Sequence, residues 1–188
     1  MDHSKVDAII QGCKRGNKDD FSRLVDIYAG PCYGYFYRLT GDKSLSDDLL
    51  SELFVKLIDR IQSYNGGSFK SWLFTIASNL WRDHLRSQYR RKRLAEEKSL
   101  YVSEFGHGDT EKVELHDELQ VALKQLDPDT AEIIVLRYYS EMSFKELSKA
   151  RKEPIGTTLA KVHRGLKKLK QIMGEPNENE QRKSENLA

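Results

Sequence analysis

The chain of 188 residues is 38% hydrophobic and 32% charged, which fits one ordinary domain or two very small ones joined by a linker. Its 31 Lys and Arg residues nearly balance 29 Asp and Glu residues, so the net charge of +2 gives little overall attraction to nucleic acid. No apolar run approaches the roughly 18 residues of a membrane span, and the N-terminus has no apolar signal segment. We therefore expect a cytoplasmic protein with no membrane span, whose partners depend on where its charges cluster.

The sequence carries no arrangement typical of an enzyme or a metal site. Its histidines lack paired ligand spacing, and its acidic residues lie near no nucleophile or metal-ligand set. Cys13 and Cys32 both fall inside helical patterns, which favours two inert thiols over a disulfide or a redox pair. We therefore predict a protein that is not an enzyme and has neither a cofactor nor a metal site.

Apolar residues recur at spacings of three and four along almost the whole chain, which predicts an all-α protein. The first long apolar stripe ends at Gly41 and contains Pro31, which is expected to bend or break the helix. Ser44, with Asp47 three residues later, predicts the start of a second helix. The apolar stripe of that helix includes Ile58.

A polar loop with two glycines, residues 64–70, separates the second predicted helix from a third. Trp72 falls on the apolar face of the third helix and is expected in the core. Trp81 falls off that face, so both a core position and a base-stacking position stay open. The helix runs into a basic run at residues 90–93, which ends the first unit.

The chain divides into two small helical units. The first unit spans residues 1–93, and a flexible linker of acidic residues and glycines follows at 94–114. Helical periodicity returns in a second unit at 115–173. The remaining residues, 174–188, are polar and are expected to be disordered.

The second unit contains clear helix-start signals. Asp127 and Pro128 fit an N-cap and a first-turn proline. Ser143 with Glu146 forms a capping-box pattern, and a final helix is predicted to begin near Gly156. Two short helices in this order have the layout of a helix-turn-helix, whose second helix enters the major groove of DNA. A helical hairpin that only packs against its neighbours is the alternative.

The distribution of charge favours DNA binding over mere packing. The final helix has no acidic residue between positions 157 and 171, and it carries Lys161, Arg164, Lys167, Lys168 and Lys170. A surface of one sign is costly unless it meets an anion. A second basic run, residues 82–93, follows the 64–70 loop, which could hold an unstacked base; a solvated helix end is its alternative. Basic surfaces on both units indicate contact with two separated DNA segments.

Short motifs in both units resemble one known family. Residues 48–54 (DLLSELF), 69–74 (FKSWLF) and 79–86 (NLWRDHLR) resemble region 2 of the extracytoplasmic function sigma factors. Leu126 with Pro128, and residues 134–139 (IVLRYY), 143–147 (SFKEL) and 154–157 (PIGT), resemble region 4 of the same group. The resemblance covers residues 5–172 and has both domains in the family's order.

The resemblance implies a sigma factor that binds core RNA polymerase through its beta and beta-prime subunits and reads the minus-ten and minus-thirty-five elements of promoter DNA. It also implies regulation by an anti-sigma factor. The implied polymerase-binding residues are Asp48, Ser51 and Glu52. The implied minus-ten residues are Asn65, Gly66, Ser68, Phe69, Lys70, Asn79, Arg82 and Arg86. The implied minus-thirty-five residues are Thr157, Thr158, Lys161, His163, Arg164, Lys167 and Lys168.

The chain departs from the family pattern at a few of these positions. Gln is common in the family where Ser51 stands, and polar or basic residues are usual at Leu159 and Ala160. Residues 150–153 (ARKE) replace the apolar residue and glycine usual in the helix-turn-helix turn. Phe69 is expected either to stack on a base or to anchor its loop to the core.

Two other classes of function compete with the sigma factor. A stand-alone helix-turn-helix regulator would explain residues 143–172 but not the motifs at 48–54 and 69–86. A nucleic-acid-processing enzyme would need a P-loop, a metal cluster or an activated nucleophile, and the sequence offers none.

Overall fold

The computed structural model describes residues 3–99 and 118–174, and both parts are helical. The helices are α1 (His3–Lys14), α2 (Lys18–Thr40), α3 (Lys43–Arg60), a 3-10 turn (Ile61–Ser63), α4 (Phe69–Ser99), α5 (Glu118–Lys124), α6 (Pro128–Ile134), a π-helical turn (Val135–Tyr139), α7 (Phe144–Arg151) and α8 (Ile155–Ile172). No strand occurs within these ranges, so the predicted all-α class is confirmed.

Helices α1 to α4 form the first unit around a core of fully buried side chains. That core includes Leu24, Tyr35, Phe36, Leu53, Leu57, Leu73 and Phe74. Burying one such side chain contributes about 1.5 to 3 kcal/mol, so the amphipathic stripes determine how these helices pack. Helix α1, which contains Cys13, adds the fully buried Ile10 to the same core.

Two helix boundaries differ from the predicted ones. Helix α3 begins at Lys43, because the Asp42 side chain caps it by accepting a hydrogen bond from the Leu45 N–H at 3.0 Å. The predicted start at Ser44 was therefore wrong. Helix α4 continues through residues 94–99, where the predicted linker should have begun; Leu, Ala, Glu and Lys in this stretch are all good helix formers. The rest of the predicted linker, residues 100–114, lies outside the described residues.

Pro31 was predicted to bend or break its helix, and helix α2 is not broken there. A proline removes one backbone hydrogen bond and crowds the preceding turn. The buried side chains of Tyr28, Cys32 and Tyr35 hold the helix against the core on both sides of Pro31, which is itself exposed. The packing of these side chains therefore outweighs the free-energy cost of a proline inside the helix.

Helices α5 to α8 form the second unit. Asp127 caps α6 by accepting from the Thr130 N–H at 2.9 Å, and Ser143 and Glu146 form the predicted capping box of α7. Helix α8 begins at Ile155, one residue before Gly156. None of the helices within residues 3–99 and 118–174 is long and apolar enough to cross a bilayer.

The two units share an interface that the sequence did not predict. The Gln120 side-chain amide donates to the carbonyls of Tyr37 and Arg38, at 3.1 and 3.0 Å, near the C-terminus of α2. The last carbonyls of a helix lack partners within the helix, so a residue of the second unit satisfies them. The π-helical turn also lies on α2, where a side chain at Gly34 would overlap the Tyr139 hydroxyl.

Candidate nucleic-acid and polymerase interfaces

Helix α8 presents a basic face to solvent. Its exposed residues include Thr157, His163, Arg164, Lys167 and Lys168. Thr158 differs from these predicted DNA residues, because it is fully buried and its hydroxyl donates to the Pro154 carbonyl at 3.3 Å. The charged side chains of this exposed face are all cationic, an arrangement that fits a polyanion.

Lys161 is half-buried and already paired. Its ammonium group donates to Glu153 at 2.8 Å and to Asp129 at 3.2 Å. The hydrogen bond that Lys161 donates to Glu153, helped by Asp129, raises the pKa of Lys161 although burial opposes the shift. Lys161 is therefore fully ionised at neutral pH but must exchange these carboxylates for any other anion.

The unusual turn between α7 and α8 has a structural explanation. The guanidinium of Arg151 is buried and contacts Asp129, Glu132 and Glu153. Lys152 takes the left-handed conformation, with φ 54°, at the end of α7. A charged cluster thus replaces the apolar residue usual in this turn, and a lysine replaces the glycine.

The 64–70 loop is exposed at its tip and anchored at both ends. Gly66 and Gly67 have φ values of 93° and 87°, a region that residues with a Cβ rarely adopt. The Tyr64 hydroxyl donates to the Gly67 carbonyl at 2.6 Å. Phe69 is buried against Tyr64 and Trp72, so it anchors the loop and does not stack outside it.

The exposed tip of the loop includes Asn65, Gly66 and Ser68. Beside it lies a groove of about 860 Å³, lined by Tyr28, Lys70 and Phe74 of the first unit together with Tyr139 and Glu141 of the second. Apolar walls with a few polar groups are typical of a ligand pocket.

Three predicted DNA residues follow the loop along α4. Asn79 and Arg86 are exposed, and Arg86 pairs with Asp83 at 3.2 Å. Arg82 is half-buried, and its Nε lies 3.7 Å from a carboxylate oxygen of Glu132, which belongs to the second unit. The cations are therefore grouped on one side of α4, but one of them faces the other unit.

Helix α3 exposes Asp48, Ser51 and Glu52 on one face, as spacings of three and four residues require. The structure adds Val55 and Ile58, which are 59% and 56% exposed. Ile58 belongs to the apolar stripe that marked this helix in the sequence, but its side chain faces solvent. The spacing from Ser51 to Val55 and Ile58 was the signal for this mixed acidic and apolar face.

Trp81 is a core residue, which settles the two alternatives that the sequence left open. Its side chain is buried and stacks on His84, with ring centroids 5.8 Å apart. Burial lowers the pKa of His84, which favours a neutral imidazole at neutral pH. Trp72 is half-buried and packs against the core, as predicted.

Comparison with known proteins places both units in one family. Residues 24–91 match the family profile Sigma-70 region 2, and residues 122–171 match Sigma-70, region 4. The RNA polymerase sigma factor CarQ of Myxococcus xanthus is 32% identical over 161 residues, which cover 85% of this chain and 92% of CarQ. The chain is an extracytoplasmic function sigma factor. SigW of Bacillus subtilis, a sigma factor of the same group, is 29% identical over 173 residues, 86% of this chain and 92% of SigW.

Solved structures share the fold of this sigma factor. RpoE in complex with the anti-sigma factor NepR, from Bartonella quintana, superposes with a TM-score of 0.67 at 21% identity, covering 84% of this chain and 99% of RpoE. CnrH in complex with the cytosolic domain of CnrY superposes with a TM-score of 0.66 at 20% identity, covering 90% of this chain and 97% of CnrH.

The sigma factor directs RNA polymerase to promoters, and its family consists of non-catalytic initiation factors. The profile matches fall inside the two predicted units, with α1 preceding the region 2 match. Helices α3 and α4 and the loop before α4 belong to region 2, whereas α6 to α8 belong to region 4. Among the described residues, no group of three or more His, Cys, Asp or Glu side chains is placed to hold a metal ion.

Proposed function

We propose that region 2 of this sigma factor docks on core RNA polymerase through the exposed α3 face and reads the minus-ten element through the adjoining loop and α4. Asp48, Ser51 and Glu52, joined by the apolar Val55 and Ile58, supply the docking face. A rim of charge around apolar side chains is a common composition for a protein interface. The beta-prime subunit is the docking partner that the family resemblance implies.

The proposed minus-ten surface combines an exposed loop tip with positive charge. The loop tip at Asn65, Gly66 and Ser68 is exposed beside the groove, and Lys70, Asn79, Arg82 and Arg86 follow it. A flipped base needs a pocket and hydrogen bonds that repay an unstacking cost of about a few kcal/mol. Phe69 supports this surface from the core.

Region 4 is proposed to read the duplex minus-thirty-five element through α8 while it rests on the beta subunit. The observation that carries this proposal is the exposed basic face of α8 in a helix-turn-helix, with Arg164 and Lys167 near its centre. Thr157 and His163 lie closer to its N-terminal half, where base edges are usually read. Lys168 extends the basic face and is placed to contact a phosphate. Lys161 can join this face only after it breaks its contacts with Asp129 and Glu153.

The remaining parts of the proposal follow from that role. Because a sigma factor acts together with core polymerase on the chromosome, we propose a cytoplasmic location and no catalytic activity of its own. RpoE was solved in complex with the anti-sigma factor NepR, and CnrH in complex with the cytosolic domain of CnrY. An anti-sigma factor is accordingly proposed for this chain. We propose that region 2 spans 1–93 and region 4 spans 115–173. Helix α4 runs on to Ser99, into the segment 94–114 that joins them, and 174–188 follows region 4.

Run-off transcription with core polymerase on a genomic library tests this function and supplies promoters for the variants. Arg164→Ala should lower transcription from promoters in a manner that depends on the minus-thirty-five sequence, because a base contact is worth about 1 to 3 kcal/mol. The control is Lys18→Ala, at an exposed position on α2. Equal transcription by Arg164→Ala and the parent on every promoter would contradict the assignment of α8.

Docking is tested separately by pull-down of core polymerase. Reversing the charge at Asp48 and Glu52 should weaken capture, whereas Asp26→Lys on α2 should leave it unchanged. Capture that is equal for all variants would remove the α3 face from the proposal.

A further inference from the structure

Two large apolar side chains are exposed at the start of the helix that is proposed to read the minus-thirty-five element. Ile155 is 53% exposed and Leu159 is 52% exposed. They lie four residues apart, so both project from the same side of α8. A neighbouring pair of apolar side chains gains free energy from a partner that removes it from water.

The packing of α8 within region 4 does not account for this pair. From Val162 onward the apolar side of the helix is covered, since Val162 and Leu169 are buried and Leu166 is half-buried against the core. Ile155 and Leu159 lie within the first five residues of α8 and keep about half of their surface in solvent. They are therefore available to contact a partner.

The surroundings of the pair indicate the chemistry of that partner. The exposed residues that follow on α8 include His163, Arg164 and Lys167, and no acidic residue occurs between positions 157 and 171. The partner must therefore combine negative charge with small apolar groups. Duplex DNA does so, because each thymine presents a C5-methyl group in the major groove between the two phosphate backbones.

The start of α8 also suits a close approach to DNA. Gly156 lies in the first turn, and a Cβ at this position would have no neighbouring atom within 4 Å. The fold therefore has room for a side chain there, although glycine is less favourable in a helix than alanine. Ala160 is exposed and also small. Small side chains let the helix backbone approach the base edges, so the longer Ile155 and Leu159 can reach them.

We propose that Ile155 and Leu159 read thymines of the minus-thirty-five element by packing against their C5-methyl groups. This inference rests on the proposed function of region 4 and adds an apolar readout to it. The N-terminal residues of a recognition helix contact base edges in the major groove. Phosphate contacts position the helix on any sequence, whereas a methyl contact distinguishes thymine from the other three bases. The pair therefore selects promoters that carry thymine at the positions it reaches.

Deoxyuridine tests this proposal, because it differs from thymidine only in lacking the C5-methyl group. Promoters obtained by run-off transcription are synthesised with each minus-thirty-five thymine, on either strand, replaced singly by deoxyuridine. The measurement is the dissociation constant of the complete holoenzyme for each duplex. The parent should lose about fourfold in affinity at one or two positions, the effect of no longer burying one methyl-sized group.

Variants of the sigma factor identify the residues that read the methyl groups. Ile155→Ala and Leu159→Ala should each bind the thymine promoter less tightly and bind thymine and deoxyuridine equally at the position that the residue reads. Leu159→Met keeps a long apolar side chain and should keep the discrimination. Met173→Ala is the matched control, because it removes an exposed apolar side chain at the other end of α8. This control should discriminate like the parent.

Three results would overturn the inference. The first is a parent holoenzyme that tolerates deoxyuridine at every position. The second is a set of promoters that carry no thymine in the minus-thirty-five element. The third is a double variant, Ile155→Ala with Leu159→Ala, that discriminates as the parent does. If that double variant also binds poorly, the pair contacts something other than thymine.

A scrambled minus-thirty-five element separates this inference from the proposed function. If the parent binds the scrambled promoter as tightly as the original one, α8 does not read this element, and the proposed function of region 4 fails with the inference. If scrambling weakens binding in the parent but deoxyuridine does not, α8 reads the element through polar contacts alone. The proposed function then stands, and the readout of thymine methyl groups is rejected.

Discussion

Arg151 and Glu132 form an ion pair in which neither side chain is more than 2% exposed, with Nη1 of Arg151 2.6 Å from Oε2 of Glu132. The pair links the helix-turn-helix turn to α6. Because Arg151 is the last residue of α7, the pair also positions the start of the turn that leads to α8. The orientation of α8 therefore depends on a charge inside region 4.

Arg151→Ala should destabilise the protein by about 3 to 5 kcal/mol, because it leaves Glu132 buried without its charged partner. Urea denaturation followed by circular dichroism measures the change. Lys149→Ala, on the exposed side of the same helix, is the matched control and should stay within about 0.5 kcal/mol of the parent. A loss no larger than that of the control would show that the pair is not needed for folding.

Asp127 should stabilise α6 in a manner that depends on pH. Burial alone would raise its pKa, but hydrogen bonds from Thr130 lower the pKa below the ordinary value. A lowered folded-state pKa gives stability that is present above the unfolded pKa and is lost as pH falls through the folded one. Asp127→Ala should therefore cost about 1 kcal/mol at neutral pH and less in acid.

Asp127→Asn is the control for the cap, since its amide oxygen can still accept the Thr130 N–H. It should retain most of the stability at neutral pH and show less dependence on pH. Thermal melts of the three proteins at neutral and acidic pH make the comparison. Equal losses for Asn and Ala would mean that charge, not the cap hydrogen bond, carries the effect.

The two thiols should be unreactive in the native protein. Burial raises the pKa of Cys32 to about 12, and burial with the nearby Asp20 raises the pKa of Cys13. The nucleophile is the thiolate, so a raised pKa lowers the fraction of each cysteine that can react at pH 8. Ellman's reagent should detect neither thiol in the native protein and both after denaturation. Rapid native reaction of one thiol would contradict its burial.

Asn65→Ala with Ser68→Ala should impair promoter opening more than polymerase binding. Both side chains lie at the exposed tip of the loop, and the anchoring residues Tyr64 and Phe69 are untouched. Permanganate reactivity of thymines around the minus-ten element should fall on duplex promoters, while core polymerase affinity stays at the parent value. A pre-melted template should recover most of the activity. Parental footprints on duplex DNA would reduce the loop to a connector.

Local signals in the sequence were sufficient for the main elements of this sigma factor. Asp127 and Ser143 predicted the starts of their helices, because an N-cap hydrogen bond joins one side chain to the backbone only a few residues away. Gly66 marked the loop for a similar reason, since positive φ is a property of one residue. The basic face of α8 could likewise be predicted, because the electrostatic attraction of a helix for an anion depends on the charged residues along that one helix.

Tertiary structure decided what depends on neighbours distant in sequence. Thr158 and Trp81 are buried because other helices cover them, and Ile58 is exposed because none does. Pro31 remains inside a helix since packing on both sides outweighs a lost hydrogen bond. The contact of Glu132 with region 2 had no sequence signal, because a buried carboxylate is stable only when donors from separate helices converge on it.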